Sequence, residues 1–173
     1  MINKTIAACL LGIYCAATLN SALAAPQLRT DTPSGYPVPR FVALKGERTN
    51  CRVGPSRKHP IRYTFHKKGA PVLVIAETVD HWRRIRDVEG DECWAHKSVL
   101  RAPKHVFSIR EIALFSGRHS SAHIRGRIAP NVLIRAEKQK DGWVRVSTDR
   151  FRGWTRQENL WGLPDSALSA AED

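Results

Sequence analysis

Hydrophobic positions along this chain recur in short bursts rather than in long stripes. Val72-Leu73-Val74-Ile75-Ala76-Glu77 is a β-rich run, and Trp82 to Asp87 alternates bulky and charged residues with a period of two. Gly69 and Pro71 punctuate the start of the first run. Glu89-Gly90-Asp91 predicts a hairpin turn, after which Glu92 to His96 returns as a strand. No window sustains an apolar period of 3.6 residues long enough for a core helix. The pattern therefore predicts short strands joined by turns, curled into something small.

The pattern is also stated twice. Gly54 matches Gly117, Ile61-Arg62 matches Ile124-Arg125, and Ala70-Pro71 matches Ala129-Pro130. Val72 to Glu77 matches Val132 to Glu137, with Arg135 in place of Ile75, which suits a strand with one wet face. Trp82 matches Trp143, Trp94 matches Trp154, and Leu100 matches Leu160. Self-similarity at about sixty residues, without helical signatures, means two copies of one small β domain. A unit of that size buries little surface alone, so a packed second copy or a disulfide would support it. The chain is thus expected to be all-β, with copies at 41–101 and 106–163 joined around Arg101-Ala102-Pro103-Lys104.

The ends read differently. Lys4, the apolar stretch Ile6 to Leu19 and Ala22-Leu23-Ala24 predict a cleavable signal peptide over 1–24, with the mature chain starting at Ala25. A lipobox-like Ile6-Ala7-Ala8-Cys9 and an uncleaved anchor are the alternatives. No other segment is apolar enough to cross a bilayer. Residues 25–40, with Pro33, Pro37, Pro39 and Gly35 among polar neighbours, are expected to be an extended linker, and 164–173 a loose acidic tail. Export to the periplasm or the medium would remove Cys9 and Cys15 and leave Cys51 and Cys93 as an even pair in an oxidising compartment.

The formal net charge of +12 argues for acidic partners: carboxylate-bearing wall material, phosphorylated lipid or nucleic acid. Solubility alone is the bland alternative. Outside the cytoplasm nucleic acid is the least available of these, so it is disfavoured.

The phrases "TNCRVGPSRKHPI", "KKGAPVLVIAE" and "HWRRIRDVEGDECWAHKSVL" together resemble the bacterial SH3-like domain family, in particular its exported double-copy members. The resemblance covers roughly Phe41 to Gly162. It implies two tandem SH3-like barrels, each five-stranded and strongly bent. A short helical turn is expected before the last strand, at Lys97-Ser98-Val99-Leu100 and at Glu158-Asn159-Leu160. The second copy is degenerate: Ala113 to Arg118 lacks the Asn, Arg and Pro of the first copy's opening phrase. Where the family usually has an aliphatic residue and a Gly, this chain has Cys51 and Cys93. Strand alternation within such a barrel would turn both inward, which makes a disulfide the leading expectation and two buried thiols, or one exposed thiol, the alternative.

The resemblance also implies ligand-groove positions for Trp82 and Trp143, each three residues before an inward aliphatic residue. Trp94 and Trp154 lie across the hairpins, where capping a small core competes with ligand contact. Tyr63 and Phe65 would extend the first surface. Arg83, Arg84 and Arg86 crowd one strand, with Arg52 expected close by; arginine beside an aromatic suits planar carboxylate or phosphate, and a solvated strand face is the plain alternative.

Catalytic and metal chemistry find little support. There is no P-loop, zinc-protease helix or G-x-S-x-G elbow. His119 and His123 lie in a loop, and His96 is expected to point away from Cys93. The expectation is a non-enzymatic binding module without cofactor. It would bind a peptidoglycan peptide or another acidic wall component. Docking of an envelope protein, or binding of an anionic polymer, are the alternatives. Oligomeric state is left open.

Overall fold

The structure, a computed structural model, describes residues 27–166; the expected signal peptide and most of the acidic tail lie outside them. In the first copy β1 (Arg40–Leu44), β2 (Thr49–Arg52), β3 (Ile61–Phe65), β4 (Pro71–Glu77), β5 (Trp82–Arg86), β6 (Glu92–His96) and β7 (Leu100–Arg101) form one antiparallel sheet in the order β3-β2-β6-β5-β4-β1-β7. In the second copy β8 (His105–Ser108), β9 (Ile112–Phe115), β10 (Ile124–Ile128), β11 (Leu133–Lys140), β12 (Trp143–Ser147), β13 (Arg152–Arg156) and β14 (Leu160–Trp161) repeat that order as β10-β9-β13-β12-β11-β8-β14. The chain is all-β and built as two tandem SH3-like units. Each sheet has seven strands rather than five, because β1 and its counterpart β8 add a strand and a two-residue strand closes each unit. The expected helical turns are 3-10 turns at Lys97–Val99 and Gln157–Asn159.

Alternation sorts the side chains. In β5 and β6, Ile85, Cys93 and Ala95 enter the first core with Val42, Leu44, Val72 and Val74. Leu114, Ile134, Val144 and Val146 fill the second. Cys51 and Cys93 are bonded, with Cα atoms 5.6 Å apart. The corresponding second-copy residues are Leu114 and Gly153, and a Cβ on Gly153 would stand 2.9 Å from the Leu114 Cβ. One copy thus fills the layer with a disulfide and the other with a leucine against a bare glycine.

The β-ladders correct the alignment of the two copies by two residues. Gly69 and Asn131 both have left-handed backbones, and their N–H groups donate to Leu44 and Ser108 respectively. Val42 pairs with Val72, and Val106 with Ile134. Bulges fall between Val74 and Ala76 and between Ala136 and Lys138. Val72 therefore corresponds to Ile134, and Glu137 to Ile75 rather than to Glu77. The similar strings VLVIAE and VLIRAE conceal the slip, since a shift of two residues preserves which side chains face inward.

The expected linker is a second correction. Its described part, 27–40, closes on itself through paired hydrogen bonds between Arg29 and Val38 and a turn at Thr32–Gly35. Val38, only 3% exposed, enters the first core, and β1 starts at Arg40. Proline richness marks extended chain equally well in a linker and in a strap; one apolar residue finding a pocket decides between them.

Candidate functional site

The outer face of the β5–β6 hairpin carries the first aromatic and basic cluster. Direct cross-strand partners share a face, so the pairs Trp82–His96, Arg84–Trp94 and Arg86–Glu92 stand in a row. Arg52 of β2 pairs with Trp94 and joins the row's edge. Arg83 points to the other face with Ala95.

Trp82 is only 8% exposed, yet it belongs to no inner core cluster. Its indole meets the His96 ring edge-on at 5.5 Å and forms the wall between two clefts. One, of about 380 Å³, is lined by Arg48, Asn50, Arg52, Arg57, Trp82 and His96. The other, of about 340 Å³, lies under the N-terminal strap and includes Ser34, Tyr36, Glu77 and Arg83. Both clefts are lined by first-copy residues and the strap.

Charge separates the arginines that sequence had grouped. Arg84 and Arg86 both pair with Glu92, at the end of the row away from Trp82. Arg83 and Arg40 pair with Glu77, which is nearly inaccessible. Burial works to raise the Glu77 carboxyl, but hydrogen bonding from Ser34 and Arg40 and the charges of Arg40 and Arg83 hold it below its usual range. Arg48, Arg52 and Arg57 have no carboxylate within salt-bridge distance among the described residues, although Arg52 donates to the His59 carbonyl at 2.6 Å. Arg48 and Arg57 were not legible as site residues. They sit in loop and turn positions around the first copy's opening phrase and are carried to Trp82 only by barrel closure.

His96 Nδ1 accepts from the Ser98 N–H, which puts its proton on Nε2. Burial lowers its pKa, with the charges of Arg57, His81, Lys97 and Arg83 acting in the same sense. A neutral donor thus borders the cleft at neutral pH.

Tyr63 lies elsewhere. It pairs with Cys51, packs edge-on against Phe65 and leans on the first core. Burial first, then Asp87 and Asp91, push its hydroxyl up to about 12. Trp94 is half-buried on the row. Trp143, 4% exposed, is closed off by Phe115 edge-on at 5.7 Å and by the Arg156 guanidinium 4.3 Å above its ring. Arg156 occupies the place that His96 holds in the first copy.

Two stretches, residues 45–102 and 110–162, match the bacterial SH3 domain family. This chain belongs to the bacterial SH3 domain family. Each matched stretch covers one sheet except its first strand, β1 or β8. No curated protein matches the chain at a significant level. Among solved structures, the chain is similar to NlpC2 from Trichomonas vaginalis at 14% identity and a TM-score of 0.34, covering 72% of this chain and 48% of that one. It is similar to NlpC1 from the same organism at 14% identity and 0.34, covering 77% and 48%. The chain spans about half the length of those proteins, and a likeness at this level carries nothing further.

Proposed function

We propose that the protein is an exported binding module, periplasmic or secreted, that holds carboxylate-bearing peptide of the cell wall in the Trp82 cleft. Bacterial SH3 domains generally serve as wall-binding modules. The observation that carries the reading is the set Arg48, Arg52 and Arg57, without carboxylate partners among the described residues, around an indole wall. Guanidinium forks match carboxylates in plane, and the indole offers an apolar surface beside them. The module needs no reactive group for this task. Arg84 and Arg86, which share the one carboxylate of Glu92, are supporting charges rather than primary contacts.

The test is retention of the purified mature protein on insoluble peptidoglycan. Wild type is expected to bind, and Arg48→Glu with Arg57→Glu to weaken binding by about tenfold or more. Neither side chain makes an ion pair among the described residues, so the variant is expected to keep its stability. Unchanged retention would reject the cleft. The competing reading, a protein partner docking along edge strand β3, predicts weak binding to bare peptidoglycan that is indifferent to these two charges.

A further inference from the structure

The second copy has lost the first copy's opening phrase, yet its outer face still carries a cluster of arginines. Arg125 of β10, Arg145 of β12 and Arg152 of β13 converge with Ser116 and Trp154 on one cleft of about 240 Å³. Arginines from three different strands are brought there by pairing, not by adjacency in sequence. Glu137, from the β11 bulge, accepts from both Arg145 and Arg152 through the same oxygen, at 3.2 and 2.7 Å. Hydrogen bonding from Arg152 holds that carboxyl below its usual range, so it stays ionised. Arg125 makes only a long contact of 3.4 Å to the Arg152 carbonyl. Three guanidinium groups thus answer to one carboxylate, and two positive charges are left around the opening. Trp154, half-buried, presents a ring whose companion is Arg118, 5.7 Å from its centre.

We infer that this cleft is a separate site for a phosphate monoester on a sugar. A doubly charged phosphate would balance the two surplus charges, whereas a carboxylate or a phosphate diester would balance one. Its tetrahedral oxygens can take the forks of three guanidiniums and the Ser116 hydroxyl at once. The flat ring of Trp154 beside them suits the apolar face of a pyranose. The site is independent of the Trp82 cleft, and the second bacterial SH3 copy is then a second binding unit rather than a prop. The same monoester is carried by a free sugar phosphate or by a phosphorylated lipid headgroup.

The experiment is titration of the intact mature protein with glucose 1-phosphate, followed by amide and indole NMR shifts. Shifts are expected at Ser116, Gly153 and the Trp154 indole, with dimethyl phosphate binding about tenfold more weakly. Arg125→Glu, at an exposed position that holds no ion pair among the described residues, is expected to weaken glucose 1-phosphate by about tenfold or more and to leave peptidoglycan retention unchanged. Vesicles of phosphatidylcholine with phosphatidic acid, set against phosphatidylglycerol, distinguish the sources: a preference for phosphatidic acid that Arg125→Glu abolishes points to a headgroup, and its absence beside glucose 1-phosphate binding points to a soluble or polymer-borne sugar. Equal affinity for dimethyl phosphate, shifts confined to the first copy, or an unaffected Arg125→Glu variant would each overturn the proposal.

Discussion

Glu77 shows how much one residue can hold. It is a nearly inaccessible carboxylate that joins Arg40, where the strap enters β1, to Arg83 of β5. Its folded pKa is depressed. The stability it contributes is therefore present above its ordinary value of 4.5 and lost as pH falls through the lower, folded value. Glu77→Gln should lower stability at neutral pH by about 3 kcal/mol, since it leaves two guanidiniums facing a neutral amide. It should also flatten the acid limb of a plot of urea midpoint against pH. A variant as acid-sensitive as wild type would show that another carboxylate governs that limb. The residue was visible in the sequence only as the end of a strand, because its partners lie in the strap and on the next strand. The cysteine pair was visible, because two odd residues stood at inward positions. Loss of the bond through Cys51→Ala with Cys93→Ala should cost roughly 4 kcal/mol. Cys51→Leu with Cys93→Gly, the second copy's own solution, should cost measurably less in urea unfolding, because it refills the layer. Equal losses would mean that the two layers are not equivalent.

At the scale of elements, each hairpin is a rack whose inner face is core and whose outer face is aromatic and basic. Alternation placed Trp82 and Ile85 on one strand and the repeat placed Trp143 and Val146 on its copy, while the outward role of the two tryptophans came from the family resemblance. Which arginine is balanced could not be read, because that depends on the residue across the ladder. Glu92 stands opposite Arg86, while its counterpart Arg152 stands opposite Ser147. The register of β11 was misread for a related reason. The two copies differ in hairpin length: β11 turns into β12 through Asp141-Gly142, both left-handed, whereas β4 reaches β5 through a longer loop. If Gly69 and Asn131 are true counterparts, Gly69→Asn should be less costly than Gly69→Ala by about 1 kcal/mol, since both add a Cβ but Asn accepts a left-handed backbone more readily. Thermal unfolding of the two variants decides it; equal stabilities would argue against the shifted correspondence.

At the scale of the whole molecule the two copies share an apolar seam. Phe41 meets Trp161 edge-on at 4.7 Å, Leu73 packs beneath them, and Phe107 of the second copy belongs to the first copy's core. Gly162, with φ at 110°, lies where a Cβ would come within 2.7 Å of the Pro71 ring. Gly162→Ala should therefore force the halves apart, and Trp161→Ala should remove about 3 kcal/mol of packing. Either should split a single urea transition into two, read by tryptophan fluorescence together with far-ultraviolet circular dichroism; a transition that stays single and unshifted would show that the seam carries no coupling. The sequence by itself determined the doubling, the strand class and the placement of the aromatic hairpins, because each follows from local alternation or from comparing one stretch with its copy; the Cys51–Cys93 bond was an expectation carried by the family resemblance, and the structure bears it out. Only the tertiary structure decided that the proline-rich strap is packed, that Arg48 and Arg57 meet Trp82, that three arginines crowd Trp154, and that the copies join through Trp161. Those facts depend on which strands become neighbours, and a pattern with a period of two says which way a side chain faces but not what it will face.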